Sequence, residues 1–197
     1  RAMDALTAVV ELTDIKDAPG IRKANSEMRS VGLGALNLHG FFAKNKIFYE
    51  SEAAKEFASV FFAAVNYHSI KRSSEIAVEK NFIFKGFEKS EYAKGTYFEL
   101  YEKPFEPTLE KVKNLFRDVE LPTVEDWAKL KEQVQKNGLY HAYRMAIAPN
   151  QSTAYISSAT PSIMPITNMV ESRVYGNSTT YFPAPFLETT NPLLYKS

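Results

Sequence analysis

Tyr140-His-Ala-Tyr-Arg-Met-Ala-Ile-Ala148, running into Pro149-Asn-Gln-Ser-Thr-Ala-Tyr-Ile156, is the stretch on which the reading of this chain turns. The first half is a short, largely apolar run stopped by proline, the pattern of a buried strand. Pro149 turns the chain, and a short helix is expected from about Ser152. The first N–H groups of a helix have no carbonyl partner within it, and the dipole is positive at that end. With the Ser152 and Thr153 hydroxyls alongside, such a turn favours a phosphate group. An ordinary Ser/Thr-capped turn fits the same residues, and local physics leaves both readings open.

Outward from that segment the chain alternates helical and strand-like patterns. Ala2, Leu6, Val9 and Val10 fall on one side of an opening helix, and Ala18-Pro19-Gly20 signals a turn. Val31-Gly-Leu-Gly-Ala-Leu-Asn37 reads as a buried strand leading into a short helix over Leu38 to Lys44. Residues 51–81 predict one long amphipathic helix, with Ala54, Phe57, Phe61, Ala64, Val65 and His68 as its apolar stripe. Helix is expected around Phe87 to Lys94, and again after Thr108 as a cap, carrying Leu109, Val112, Leu115 and Phe116. Thr123 and Asp126 form a capping box ahead of Trp127, Leu130 and Val134, and Asn137-Gly138 ends that helix. Ile163 to Tyr175 is strand-like, and Tyr181 to Phe186 is aromatic and broken by Pro183 and Pro185. No internal repeat is present. Helices between isolated apolar strands predict an α/β fold with a partly parallel sheet, within one domain or a large piece of one. Both ends of the sequence fall in core-like residues, so a fragment of a larger domain is expected.

Composition narrows the function. The chain has 197 residues, with 24 basic and 23 acidic side chains interspersed and a net charge of +1. That balance argues against electrostatic binding to nucleic acid or to a membrane surface. No apolar run reaches the length of a membrane span, and no signal peptide opens the chain. Cysteine is absent from the sequence. A disulfide framework, a thiolate metal site and a cysteine nucleophile are thereby excluded within it, and a cytoplasmic location is expected.

Other candidates resolve to structure. His39, His68 and His141 are too widely spaced for a metal cluster, and none has a local partner for nucleophilic catalysis. His68 is expected to be partly buried on its helix. Gly32-Leu33-Gly34 lacks the third glycine of a dinucleotide loop and lies inside the apolar run, so strand packing is the reading there. The charged run from Glu125 to Glu132 is a solvated helix face.

Arg144 to Ile156, followed by Ser158-Ala-Thr-Pro-Ser-Ile-Met-Pro165, resembles the large catalytic subunit of class I ribonucleotide reductase, nearest to the class Ib α subunit. Asn25-Ser-Glu-Met-Arg-Ser-Val-Gly-Leu-Gly-Ala-Leu-Asn-Leu-His-Gly40, Gly138-Leu-Tyr-His-Ala-Tyr-Arg144 and Tyr181-Phe-Pro-Ala-Pro-Phe186 resemble the same family, in the same order. The resemblance implies a helix-rich, half-barrel fragment of a ten-stranded α/β barrel, with residues 1–197 a single piece of its second half and no second domain.

That family replaces the ribose 2′-hydroxyl of a ribonucleoside diphosphate with hydrogen, through a thiyl radical and a pair of reducing cysteines. The resemblance places those cysteines, the radical-relaying tyrosines and the effector segment outside this sequence; Tyr140 and Tyr143 do not match the relay. No catalytic residue and no metal ligand is therefore assigned here, and no cofactor is expected on this chain. The full enzyme relies on a radical and metal centre in a small β subunit and on a thiol reductant. What carries over is the substrate-diphosphate loop, onto Pro149, Asn150, Gln151, Ser152 and Thr153. Relatives often carry Thr or Ser at the position of Asn150, whereas the backbone amides do not depend on side-chain identity. The implied partners are the substrate, the remainder of the α subunit and the β subunit. A non-catalytic phosphate-binding or interaction module that retains the fold is the alternative.

Overall fold

In the computed structural model, which describes residues 1–189 and 191–195, the chain divides into two compact units. One comprises Arg1–Leu33 and Ser59–Ala146, the other Gly34–Ala58 and Ile147–Ser197.

The first unit is helical. It holds α1 (Ala2–Leu12), α2 (Pro19–Met28), most of α4 (Glu52–Glu79), α5 (Glu91–Lys94), α6 (Glu110–Phe116) and α7 (Val124–Asn137). Its core joins Ala63, Tyr67 and Ile70 of α4 to Trp127, Leu130 and Val134 of α7, with Phe84, Phe87, Phe98 and Tyr101 between them. Trp127 lies flat on Tyr101, with ring centroids 3.6 Å apart and planes 8° from parallel. The capping box at Thr123 and Asp126 forms as expected, and Gly138 ends α7 at φ 74°.

Several boundaries differ from expectation. The Ala18-Pro19-Gly20 signal leads into α2, because proline at the first helical position starts a helix as readily as it makes a turn. Leu109, not Thr108, is the N-cap of α6, and no side-chain cap bond forms there. The buried stripe of α4 keeps the predicted Ala54 and Phe57 and then runs through Val60, Ala63, Tyr67 and Ile70, one residue round from the predicted Phe61, Ala64 and His68. Phe61, Ala64 and Val65 instead line an open groove of about 580 Å³ with Leu33 and Phe116, and His68 at its rim is exposed.

The strands expected over Val31–Asn37 and Tyr140–Ala148 reduce to a single parallel bridge between Leu33 and Met145. Val31 N–H donates to the Tyr143 carbonyl at 2.9 Å, and Ala146 N–H to the Leu33 carbonyl at 3.1 Å. Among the described residues no third strand extends this pair, so it stays short. A Cβ on Gly32 would come within 3.1 Å of the Ala146 Cβ, so the glycine there permits close strand packing.

The second unit is built on α3 (Leu38–Lys44), α8 (Gln151–Ile156) and a hairpin of β1 (Val170–Tyr175) and β2 (Ser178–Pro183). Asn37 opens α3 in the left-handed region at φ 68°. Ala43, Ala184, Leu194 and Tyr195 form one apolar cluster, and Phe42 packs edge-on against Tyr49 and Phe57 in another. The hairpin is antiparallel, pairing Tyr175 with Ser178 across a two-residue Gly176-Asn177 turn in which Gly176 takes φ 59°. Strand is confined to 170–175 of the expected 163–175, and residues 163–169 are held by side chains instead. Tyr49 donates its hydroxyl to the Ile163 carbonyl at 2.7 Å, and Ile166 N–H donates to His39 Nδ1 at 3.0 Å. No helix among the described residues is long and apolar enough to cross a membrane.

Candidate functional site

The Pro149–Thr153 segment opens α8. Asn150 is the N-cap, at φ −99° and ψ 52°, and the helix begins at Gln151, one residue ahead of expectation. Its first carbonyl-directed bond is from Ala154 N–H to the Asn150 carbonyl, at 2.9 Å. The N–H groups of Gln151, Ser152 and Thr153 therefore have no acceptor among the described residues, and all three residues are exposed. No side-chain cap bond forms, which removes the Ser/Thr-capped turn as the account of this segment. Pro149 is exposed as well, while Ala154 is fully buried and roots the helix.

The sequence reading grouped Asn150 with Ser152 and Thr153, and here the structure separates them. Asn150 Oδ1 accepts from Ser162 N–H at 2.8 Å, so this side chain is engaged with the segment after the helix. That segment is tied in turn to the start of α3. Thr160 N–H donates to Asn37 Oδ1 at 3.0 Å, Asn37 N–H donates to the Thr160 carbonyl at 2.8 Å, and Gly40 N–H donates to Thr160 Oγ1 at 3.2 Å.

The other end of α8 is gripped by the hairpin. The Tyr155 hydroxyl donates to Glu171 Oε2 at 2.6 Å and accepts from Arg173 Nη2 at 3.0 Å. Its ring stacks on Phe182 at 4.4 Å. Burial, with the Glu171 carboxylate second, holds the Tyr155 phenol above its ordinary range, so it stays a donor. Sequence reasoning missed Tyr155, Ser162 and Glu171. The Gly176-Asn177 pair between two β-rich runs was the available hairpin signal.

Charge is not supplied by the loop itself. Arg144, the nearest cation along the sequence, is buried, donates to the Tyr92 hydroxyl at 2.6 Å and lies over that ring at 4.7 Å. Its Nε and Nη1 have no acceptor among the described residues.

The histidines are placed apart. His141 is fully buried between Thr7 Oγ1, 3.0 Å from Nε2, and Ser73 Oγ, 2.9 Å from Nδ1. Thr7 already donates its hydroxyl to the Met3 carbonyl, so it accepts from Nε2–H, and Ser73 donates to Nδ1. Burial, then the Arg144 charge, pushes the His141 pKa down to about 4, which keeps it neutral. His39 is also fully buried; Nε2 donates to the Leu194 carbonyl at 3.1 Å, and burial lowers its pKa. His68, by contrast, is exposed beside the Tyr67 ring. Among the described residues no three His, Asp or Glu side chains gather into a metal-binding group.

The family model for the ribonucleotide reductase barrel domain matches residues 1–195. The ribonucleoside-diphosphate reductase subunit alpha of Bacillus subtilis is 52% identical over 196 residues, covering 99% of this chain and 28% of the relative. The NrdEB subunit alpha of the same organism is 50% identical over 196 residues, covering 99% of this chain and 18% of the relative. The corresponding subunit of Mycoplasma pneumoniae is 44% identical over 202 residues, covering 99% of this chain and 28% of the relative. The chain thus spans between 18% and 28% of the length of these relatives.

Proposed function

This chain belongs to the ribonucleotide reductase barrel-domain family, and from that premise we propose that it supplies barrel wall and the substrate-diphosphate loop of a ribonucleoside-diphosphate reductase α subunit, class Ib in type. The observation that carries the reading is the row of exposed, unpaired amides at Gln151, Ser152 and Thr153, beside two hydroxyls, in the segment that resembles the family's phosphate loop. A diphosphate there accepts charge-assisted hydrogen bonds from neutral donors. The helix dipole adds ~0.3–1 kcal/mol, at the low end for so short a helix. Binding is therefore directional more than strong, and the loop orients the ribose for chemistry performed elsewhere.

The reduction itself needs thiols, and this sequence has none. The remainder of the α subunit supplies them, a small β subunit with a radical and metal centre starts the reaction, and a thiol reductant renews it. The cytoplasm is the compartment that fits a cysteine-free chain serving thiol chemistry. The isolated chain forms no deoxynucleotide with any reductant or partner subunit; measurable product would refute the division of labour.

The loop is tested in the complete subunit by Ser152→Ala combined with Thr153→Ala. Hydrogen bonds to charged groups contribute ~1.5–3 kcal/mol each, so loss of the pair raises the substrate KM at least ~100-fold. Effector binding stays unchanged, because its segment lies elsewhere. An unchanged KM refutes the assignment.

A further inference from the structure

We propose that Asn150 positions the diphosphate loop through its side-chain oxygen, an inference that rests on the reading of Pro149–Thr153 as the diphosphate loop. An asparagine at an N-cap ordinarily turns its side-chain oxygen onto the second or third amide of its own helix. Here that would consume Ser152 N–H or Thr153 N–H. Asn150 Oδ1 instead accepts from Ser162 N–H at 2.8 Å, which leaves both amides open. An oxygen committed to Ser162 is not presented to a phosphate, which as an anion would in any case repel it.

The acceptor geometry is fixed from the other side. Ser162 is 7% exposed and sits in the left-handed region at φ 56°, so its N–H points in one direction. The turn that carries it is pinned through Thr160 to Asn37 and Gly40 at the start of α3. Asn150 thereby passes the anchorage of α3 to the amide end of α8. Tyr155 is the counterpart at the other end, through Glu171 and the Phe182 ring. The helix is six residues long and cannot hold its own orientation; these two braces hold it without spending a phosphate-facing donor.

Asn150→Asp and Asn150→Leu in the complete subunit separate the roles. Aspartate keeps an oxygen for Ser162 N–H, and leucine removes it. The first readout is hydrogen exchange at the Ser162 amide without substrate. The second is KM and kcat for a ribonucleoside diphosphate. We expect leucine to speed exchange at Ser162 at least tenfold and to raise KM about tenfold with kcat within twofold. Aspartate is expected to keep the Ser162 protection that leucine loses. A leucine variant with faster Ser162 exchange but a KM within twofold of the parent would show that this bond does not position the loop and would overturn the proposal. Unchanged Ser162 exchange in the leucine variant would overturn it too. Failure of the diphosphate reading shows separately, as an unchanged KM in the Ser152→Ala, Thr153→Ala variant, because the exchange readout needs no substrate.

Discussion

In the helical unit, order comes from rings and aliphatic side chains. Trp127 is stacked on Tyr101 and edge-on to Tyr67, and the core around them spans α4 and α7. In the loop-bearing unit rings pack too, Phe42 against Tyr49 and Phe57, but main-chain groups are held by polar side chains: those of Ile166 and Leu194 by His39, that of Thr160 by Asn37, that of Ser162 by Asn150. The difference teaches where each kind of structure can carry function. A ring-packed core fixes helices by side-chain contact. A scaffold of side-chain acceptors can hold an irregular loop and still leave chosen amides unpaired.

The comparison breaks most readily in the helical unit. Trp127→Ala should cost ~3–5 kcal/mol, measured by urea unfolding, because the cavity opens between packed rings. A cost under ~1 kcal/mol would mean that the rings do not carry this unit.

Acid acts on both units next. His141 is neutral in the fold with a pKa of about 4 against an ordinary 6.5, so the unfolded chain binds its proton first as pH falls. Its contribution is complete above pH 6.5 and is lost progressively down to about pH 4, amounting to about 3 kcal/mol. His39 acts in the same direction through its own burial. Unfolding free energies measured from pH 7 to pH 4, with His141→Gln as the control that flattens the fall, check this.

Asn37→Ala should destabilise by ~1–3 kcal/mol, since a buried Thr160 N–H loses its acceptor. Asn37→Gly also loses the acceptor but relieves the left-handed backbone at φ 68°, so it should cost ~1 kcal/mol less. Equal costs for the two variants would show that backbone strain at this position is negligible. The smallest effect is expected at Thr123→Ala, ~1 kcal/mol by thermal unfolding, from loss of one helix cap.

The same contrast explains how much could be read beforehand. α3, α7 and the span of α4 were legible because apolar spacing and a capping box are local signals. The buried face of α4 was not, because Phe61, Ala64 and Val65 are as apolar as the residues that pack, and only the tertiary neighbours of Val60 and Tyr67 choose between the two faces. The paired strands were read as longer than they are, since an apolar run cannot report how many neighbours it finds. Around the site, the Pro149 turn and the helix after it were visible. The commitment of Asn150 to Ser162 was not, because a side chain that bonds twelve residues away leaves no periodicity. The proposed role of the loop owed more to family resemblance than to its own polarity, which also suits a capped turn.

The most direct test of the central claim is amide exchange across Pro149–Ile156 in the complete subunit, with and without a saturating ribonucleoside diphosphate. The account predicts that exchange at Gln151, Ser152 and Thr153 slows at least tenfold with the nucleotide and recovers when the nucleotide is removed. Exchange at those three amides that is the same with and without bound substrate would contradict it.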